Sequence, residues 1–131
     1  MSRSGYGDDY DVLSLGRWRG QVASATRGKR GQALFVSLAQ ALDEMPVKEL
    51  IAHELKNADG RYCALGVLGE KRGLQMDKID AYESDIVAKN FDIAEPLACE
   101  IVFMNDEYFD RSTPAERWTL MRKWVQEQIK P

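Results

Sequence analysis

Histidine is almost absent from this chain. His53 is the only one, and the two cysteines, Cys63 and Cys99, lie far apart. That scarcity excludes the structural zinc patterns, which need closely spaced cysteine and histidine pairs. Long apolar runs are missing too. None approaches the roughly 20 residues that a bilayer crossing needs, so no membrane contact is expected. Met1-Ser2-Arg3-Ser4-Gly5 has no hydrophobic centre and does not read as a signal peptide, which predicts a cytoplasmic setting with both thiols reduced and buried. The glycines at 66, 69 and 73 lack the spacing and the preceding strand of a phosphate or dinucleotide loop. Asp77, Asp80 and Asp85 lack the glycine and terminal glutamate of a calcium loop. No metal and no cofactor is expected.

What remains is ordinary globular material. The chain has 131 residues, 44% hydrophobic and 30% charged, enough for one domain with its own core. The net charge of −3 is unevenly spread. Residues 12–42 hold five basic side chains and no acid, whereas residues 76–131 hold twelve acids against seven bases. Such asymmetry either steers a charged partner or ties two parts of one fold together.

Residues 1–13 show no period and read as a flexible N-terminal tail, leaving 14–131 as a single helical domain. Ser14 is placed to cap a first helix whose apolar face is Leu15, Trp18, Val22 and Ala25. Gly28 and Gly31 break it around Lys29-Arg30. Leu34, Phe35, Leu38, Ala41, Leu42 and Met45 make a wide face on a second helix over 32–45, which Pro46 ends. The stretch 47–55 fits a short helix or a strand of a hairpin, and helix is the favoured reading. Asp59-Gly60 is a turn.

A third helix over 64–72 carries Gly66 and Gly69 on one face. Each glycine costs roughly 1 kcal/mol against alanine, which implies that another backbone comes close there. Gly73 is its stop. Residues 74–83 read as a poorly packed acidic connection. Ser84 is placed to cap a short helix, and Asp92-Ile93-Ala94-Glu95 has the form of a capping box for the next one. Asn105-Asp106 closes that helix. Thr113, Pro114 and Glu116 start the last, whose stripe is Trp118, Met121, Val125 and Ile129, widened by Leu120 and Trp124. The expected fold is mainly α, a compact bundle of five or six helices, with one short β-hairpin near residues 50–63 left open.

Three sets of residues carry chemistry. Cys63 opens a helix, where the dipole favours thiolate. Arg61 is near in sequence, and His53 is the only imidazole available to activate a cysteine nucleophile. A small buried side chain beside Ala64 and Leu65 is the favoured reading of Cys63, and of mid-helix Cys99 still more so. Asp106, Glu107 and Asp110 form either an acidic contact surface or a carboxylate pair; backbone hydrogen bonds that shape the bend explain Asn105-Asp106 better. The basic stretch of Arg17, Arg19, Arg27, Lys29 and Arg30 is the candidate contact for a partner or an anion such as a phosphate. The sequence pI of about 5.2 argues against a dedicated nucleic-acid binder.

The runs Gly16-Arg17-Trp18-Arg19-Gly20, Arg27-Gly28-Lys29-Arg30-Gly31-Gln32, Gly60-Arg61-Tyr62-Cys63-Ala64-Leu65-Gly66, Asn105-Asp106 and Thr113-Pro114-Ala115-Glu116-Arg117-Trp118 form a familiar set. With them the chain resembles, over about residues 16 to 129, the small accessory proteins encoded by tailed phages and prophages. The Cys-Ala-Leu-Gly stretch with its downstream Asn-Asp is also similar to actinobacterial domains of unknown function. The family has no established activity, so no catalytic residue carries over. The resemblance implies a setting: an infected bacterial cell, and a host or defence protein as partner. The expectation is a non-enzymatic protein of phage type that binds such a partner. The alternative is a nucleic-acid or nucleotide-type anion binder, and oligomeric state is left open.

Overall fold

The wide apolar face expected of the second helix makes it the hub of the fold. The computed structural model describes residues 2–6 and 12–131. Helix α2 (Lys29–Asp43) buries Leu34, Phe35, Leu38 and Leu42 completely or nearly so. Each such side chain contributes about 1.5–3 kcal/mol through loss of water contact. α1 (Val12–Arg27) precedes it, and α3 (Ala64–Lys71) and α6 (Pro114–Gln128) pack on it. α4 (Ser84–Phe91) and α5 (Glu95–Phe103) pair with each other, and α5 also meets α1 and α3. The result is the expected mainly helical bundle, with six α-helices and no strand among the described residues.

Several local expectations are corrected. The break between the first two helices is Gly28 alone, so Lys29, Arg30 and Gly31 form the first turn of α2 instead of a loop. A side-chain carbon on Gly31 would lie 1.9 Å from the Ala25 carbonyl oxygen, so the two helices meet there backbone to backbone. α1 starts at Val12, which places Ser14 inside it rather than at its cap, and Leu15 is 46% exposed. The favoured helix over 47–55 does not form. That stretch runs beside residues 61–63, with Ile51 N–H on Tyr62 O, Cys63 N–H on Leu55 O and a single antiparallel bridge between Lys56 and Tyr62. The loop is hairpin-like in path but has only that one bridge.

The acidic connection 74–83 is better packed than expected. It contains a short 3-10 turn, Met76–Lys78, and buries Met76 and Ile79. Asp92 does not cap α5. Its backbone turns left-handed (φ 56°) to close α4, with its N–H on Ala88 and Lys89 carbonyls, and α5 begins after Ala94. Leu120, expected to widen the stripe of α6, is 37% exposed, whereas Met121 and Val125 are fully buried. The start of α6 is as expected: the Thr113 hydroxyl accepts from Glu116 N–H and the Glu116 carboxylate accepts from Thr113 N–H.

The flexible-tail reading is corrected where residues are described. Arg3 and Ser4 are each only 3% exposed, and the Tyr6 ring packs against Phe103 and meets Trp18 edge to face. Residue 1 and residues 7–11, which that reading also covered, lie outside the described residues.

Candidate functional site

The chain leaves α5 through a five-residue π-helical segment, Met104–Tyr108. A π turn widens the helix, and such turns are frequent at functional sites. Here it accompanies two consecutive polar side chains that both point inward: Asn105 is 1% exposed and Asp106 2%. Arg117 of α6, also buried, donates to the carbonyls of Asn105 (2.8 Å) and Phe109 (3.2 Å), so backbone oxygens near this turn keep partners.

Asn105 works in two directions. Its Oδ1 accepts from Ala64 N–H (3.1 Å), while its Nδ2 donates to Ile51 O (2.9 Å) and to Asp106 Oδ1 (2.8 Å). The first bond caps α3, since a helix N-terminus leaves its first N–H groups without intrahelical partners. Cys63 supplies a second cap: its Sγ accepts from Gly66 N–H at 3.4 Å. Gly66 is required by the packing, because a Cβ there would stand 1.8 Å from the Leu55 carbonyl oxygen. The backbone approach inferred from the glycine pair is thus found at Gly66. At Gly69 the neighbours are instead side chains, Met76 and Phe91.

Asp106 is the centre. Its Oδ2 accepts from Arg3 Nε and its Oδ1 from the same guanidinium, both at 2.7 Å. Oδ1 also accepts from the backbone N–H of His53 at 3.0 Å. Burial works to raise the Asp106 carboxyl, but the hydrogen bonds and charge of Arg3, the His53 N–H and the Asn105 amide outweigh it and hold the group below its ordinary range. Burial likewise works against the charge of Arg3, and Cys63 and Asp106 overcome it, so the guanidinium stays protonated. The third guanidinium nitrogen, Nη1, lies 3.7 Å from Cys63 Sγ.

The structure therefore brings Cys63 and Asp106 to one guanidinium, but not Cys63 to His53. The thiol is 1% exposed. The imidazole faces outward, 65% exposed, with Nδ1 3.8 Å from Asp106 Oδ2, beyond hydrogen-bond reach. Its backbone is left-handed at φ 73°, which lets the N–H reach Asp106. Arg61 turns away to pair with Glu49. Cys99 is buried, and its thiol is pushed up by that burial.

The five basic candidates are split. Arg19 forms a two-point ion pair with Glu100 (2.7 and 2.9 Å), a carboxylate that also accepts from the Tyr6 hydroxyl, itself bonded to Trp18 Nε1. Arg30 pairs with Asp92 at the surface at 3.3 Å. Arg17, Arg27 and Lys29 are exposed and have no ion-pair partner among the described residues. Of the two readings of the charge asymmetry, tying early bases to late acids accounts for Arg19 and Arg30, and Arg3, which precedes the basic stretch, pairs with a late acid in the same way.

An open concavity of about 470 Å³ lies elsewhere, with Met45, Tyr62 and Val67 in its lining. Ion pairs between Glu49 and Arg61 and between Glu44 and Lys71 hold four of its charged residues. Sequence reasoning missed Arg3, Glu100 and Arg117. An arginine in a Ser-Gly stretch has no period to betray it, while Glu100 lies between Cys99 and Ile101 and Arg117 shares the face of α6 that carries Met121 and Val125, which were the hints of burial. No protein family, curated protein or solved structure matches the chain.

Proposed function

We propose that this is a non-enzymatic accessory protein of phage type that binds and modulates a host or defence protein. One observation carries the reading. Cys63, the candidate nucleophile, is sealed inside the fold as a helix cap with Arg3 against it, and the one imidazole faces outward and makes no hydrogen bond to it. A cysteine nucleophile needs a base within reach and a path for substrate, and a cap buried under a guanidinium offers neither. The setting, an infected bacterial cell, rests on the resemblance alone.

The test uses Cys63→Ser, which retains a capping acceptor but removes the thiol nucleophile. The wild-type chain and this variant are expressed in the bacterial host and captured by affinity tag. A single protein recovered in stoichiometric amount with both supports the reading. Loss of the cellular effect in a folded Cys63→Ser protein that still captures the partner would sink it in favour of thiol chemistry.

The second reading, a nucleic-acid or nucleotide-type anion binder, keeps three exposed basic side chains in its favour, Arg17, Arg27 and Lys29. It loses Arg19 and Arg30 to ion pairs within the chain.

A further inference from the structure

The side chain of Arg3 is bound as a ligand would be. It is 0% exposed, its Nε and Nη2 form a parallel fork with both oxygens of Asp106, and its Nη1 meets Cys63 Sγ. Every guanidinium nitrogen thus faces an acceptor in the wall. The geometry matches a planar fork and not a point charge, so it discriminates arginine from lysine.

The wall is largely built without the segment that fills it. Asp106 is aimed by the His53 N–H and the Asn105 amide, and Asn105 is itself fixed by Ala64 N–H and Ile51 O. Cys63 is fixed by the start of α3. Residues 2–6, by contrast, belong to no helix. Apart from Arg3, the contacts that tie them to the bundle include Ser4 to Glu107, Tyr6 to Glu100 and Trp18, and the Tyr6 ring against Phe103. A strap outside the helices opens at lower cost than the bundle does.

We propose that the Asp106–Cys63 pocket is an arginine-recognition site which residues 2–6 occupy in cis, and that an arginine-bearing segment of a partner protein takes the place of the strap. The arginine of the partner makes the same fork on Asp106, and displacement of Arg3 couples partner binding to release of residues 2–6. The strap acts as a built-in competitor, so the affinity for the partner is reduced by the fraction of molecules in which the strap is closed. This inference rests on the reading of the protein as a binder and names the chemistry of the partner.

The test titrates N-acetyl-Ser-Arg-Ser-Gly-Tyr-amide into the full chain carrying Arg3→Ala, with calorimetry and thermal unfolding as readouts. Expected are saturable binding, a rise in Tm, and slower alkylation of Cys63 when the peptide is bound. The same peptide with lysine in place of arginine binds at least about tenfold more weakly, and Asp106→Asn placed on the Arg3→Ala background abolishes binding. The wild type needs correspondingly more peptide. If Arg3→Ala does not fold, Arg3→Lys is titrated instead under the same criteria. Absence of saturable binding, equal binding of the lysine peptide, or binding that survives Asp106→Asn each overturns the proposal. If the peptide fails while a stoichiometric protein partner is still captured, the pocket assignment falls and the binder reading stands.

Discussion

Arg3 and Asp106, 103 positions apart, close a two-point ion pair of 2.7 Å per contact with almost no exposure on either side chain. Taking both charges out of water is expensive, and the pair holds only because every oxygen and nitrogen has a partner. Most of its consequence is therefore seen when one member is removed.

Asp106→Asn leaves a buried guanidinium without its counter-charge and is expected to cost on the order of 3 kcal/mol at neutral pH. The sign of the pH dependence follows from the lowered carboxyl. A group held below its unfolded value, near 3.8, contributes stability above that pH and loses it as pH falls through the folded value. Urea midpoints of the two proteins should therefore differ most at neutral pH and converge in acid below the carboxylate range. A gap that persists unchanged into strong acid refutes the assignment.

The glycines of helices separate propensity from packing. Alanine favours a helix by roughly 1 kcal/mol over glycine, so propensity alone predicts a gain at each. At Gly20 nothing lies within 4 Å of an added Cβ, and Gly20→Ala should be stabilising by up to that amount. At Gly66 the added carbon would meet the Leu55 carbonyl oxygen at 1.8 Å, a backbone atom that cannot step aside. Gly66→Ala should lose several kcal/mol or fail to fold. Gly69→Ala meets the end of a flexible methionine, Met76 Sδ at 2.9 Å, as well as the Phe91 ring, and should fall between. Thermal unfolding of the three variants gives the order directly.

His53 holds a left-handed backbone, φ 73°, in order to aim its N–H at Asp106. A non-glycine residue there stores about 1 kcal/mol of strain, although histidine tolerates the region better than most. His53→Gly retains the N–H and releases the strain, so Tm should stay level or rise, with partner capture unchanged. His53→Val should lower it. A loss of cellular effect in the stable glycine variant would show that the imidazole itself acts.

The parts of this fold that were legible in the sequence are those with local causes. Thr113, Pro114 and Glu116 announce the start of α6 within four residues, and the α2 stripe is wide enough to signal deep burial. Gly66 betrayed a close backbone because its cost needed a reason. Local patterns misled where a neighbouring element claimed the same residue: Asp92 fits a capping box, yet its backbone is used to end α4. The centre itself was half visible. Cys63 and Asn105-Asp106 stood out, and backbone bonding was the favoured role for the latter pair. The guanidinium that joins Cys63 to Asp106 arrives from a segment with no period at all.

The basic stretch yields the sharpest internal contrast. Arg17, Arg27 and Lys29 are exposed, and replacing all three with glutamate should leave urea stability within about 0.5 kcal/mol per site. Arg19→Ala should instead cost about 1–2 kcal/mol, because Glu100 is largely buried and keeps the Tyr6 hydroxyl but loses its counter-charge. Burial pushes the Tyr6 phenol up, so it remains a donor to Glu100 throughout the neutral range. Under the binder reading, neither variant changes retention on duplex DNA in low salt, since the wild type shows none to lose. Retention that the triple variant abolishes, with a salt slope that falls by about one for each phosphate contact removed, would transfer the function to the surface of α1 and the start of α2. Arg19 is the control in that comparison: an effect confined to Arg19→Ala reports a loosened Tyr6–Glu100 junction and not a lost phosphate contact.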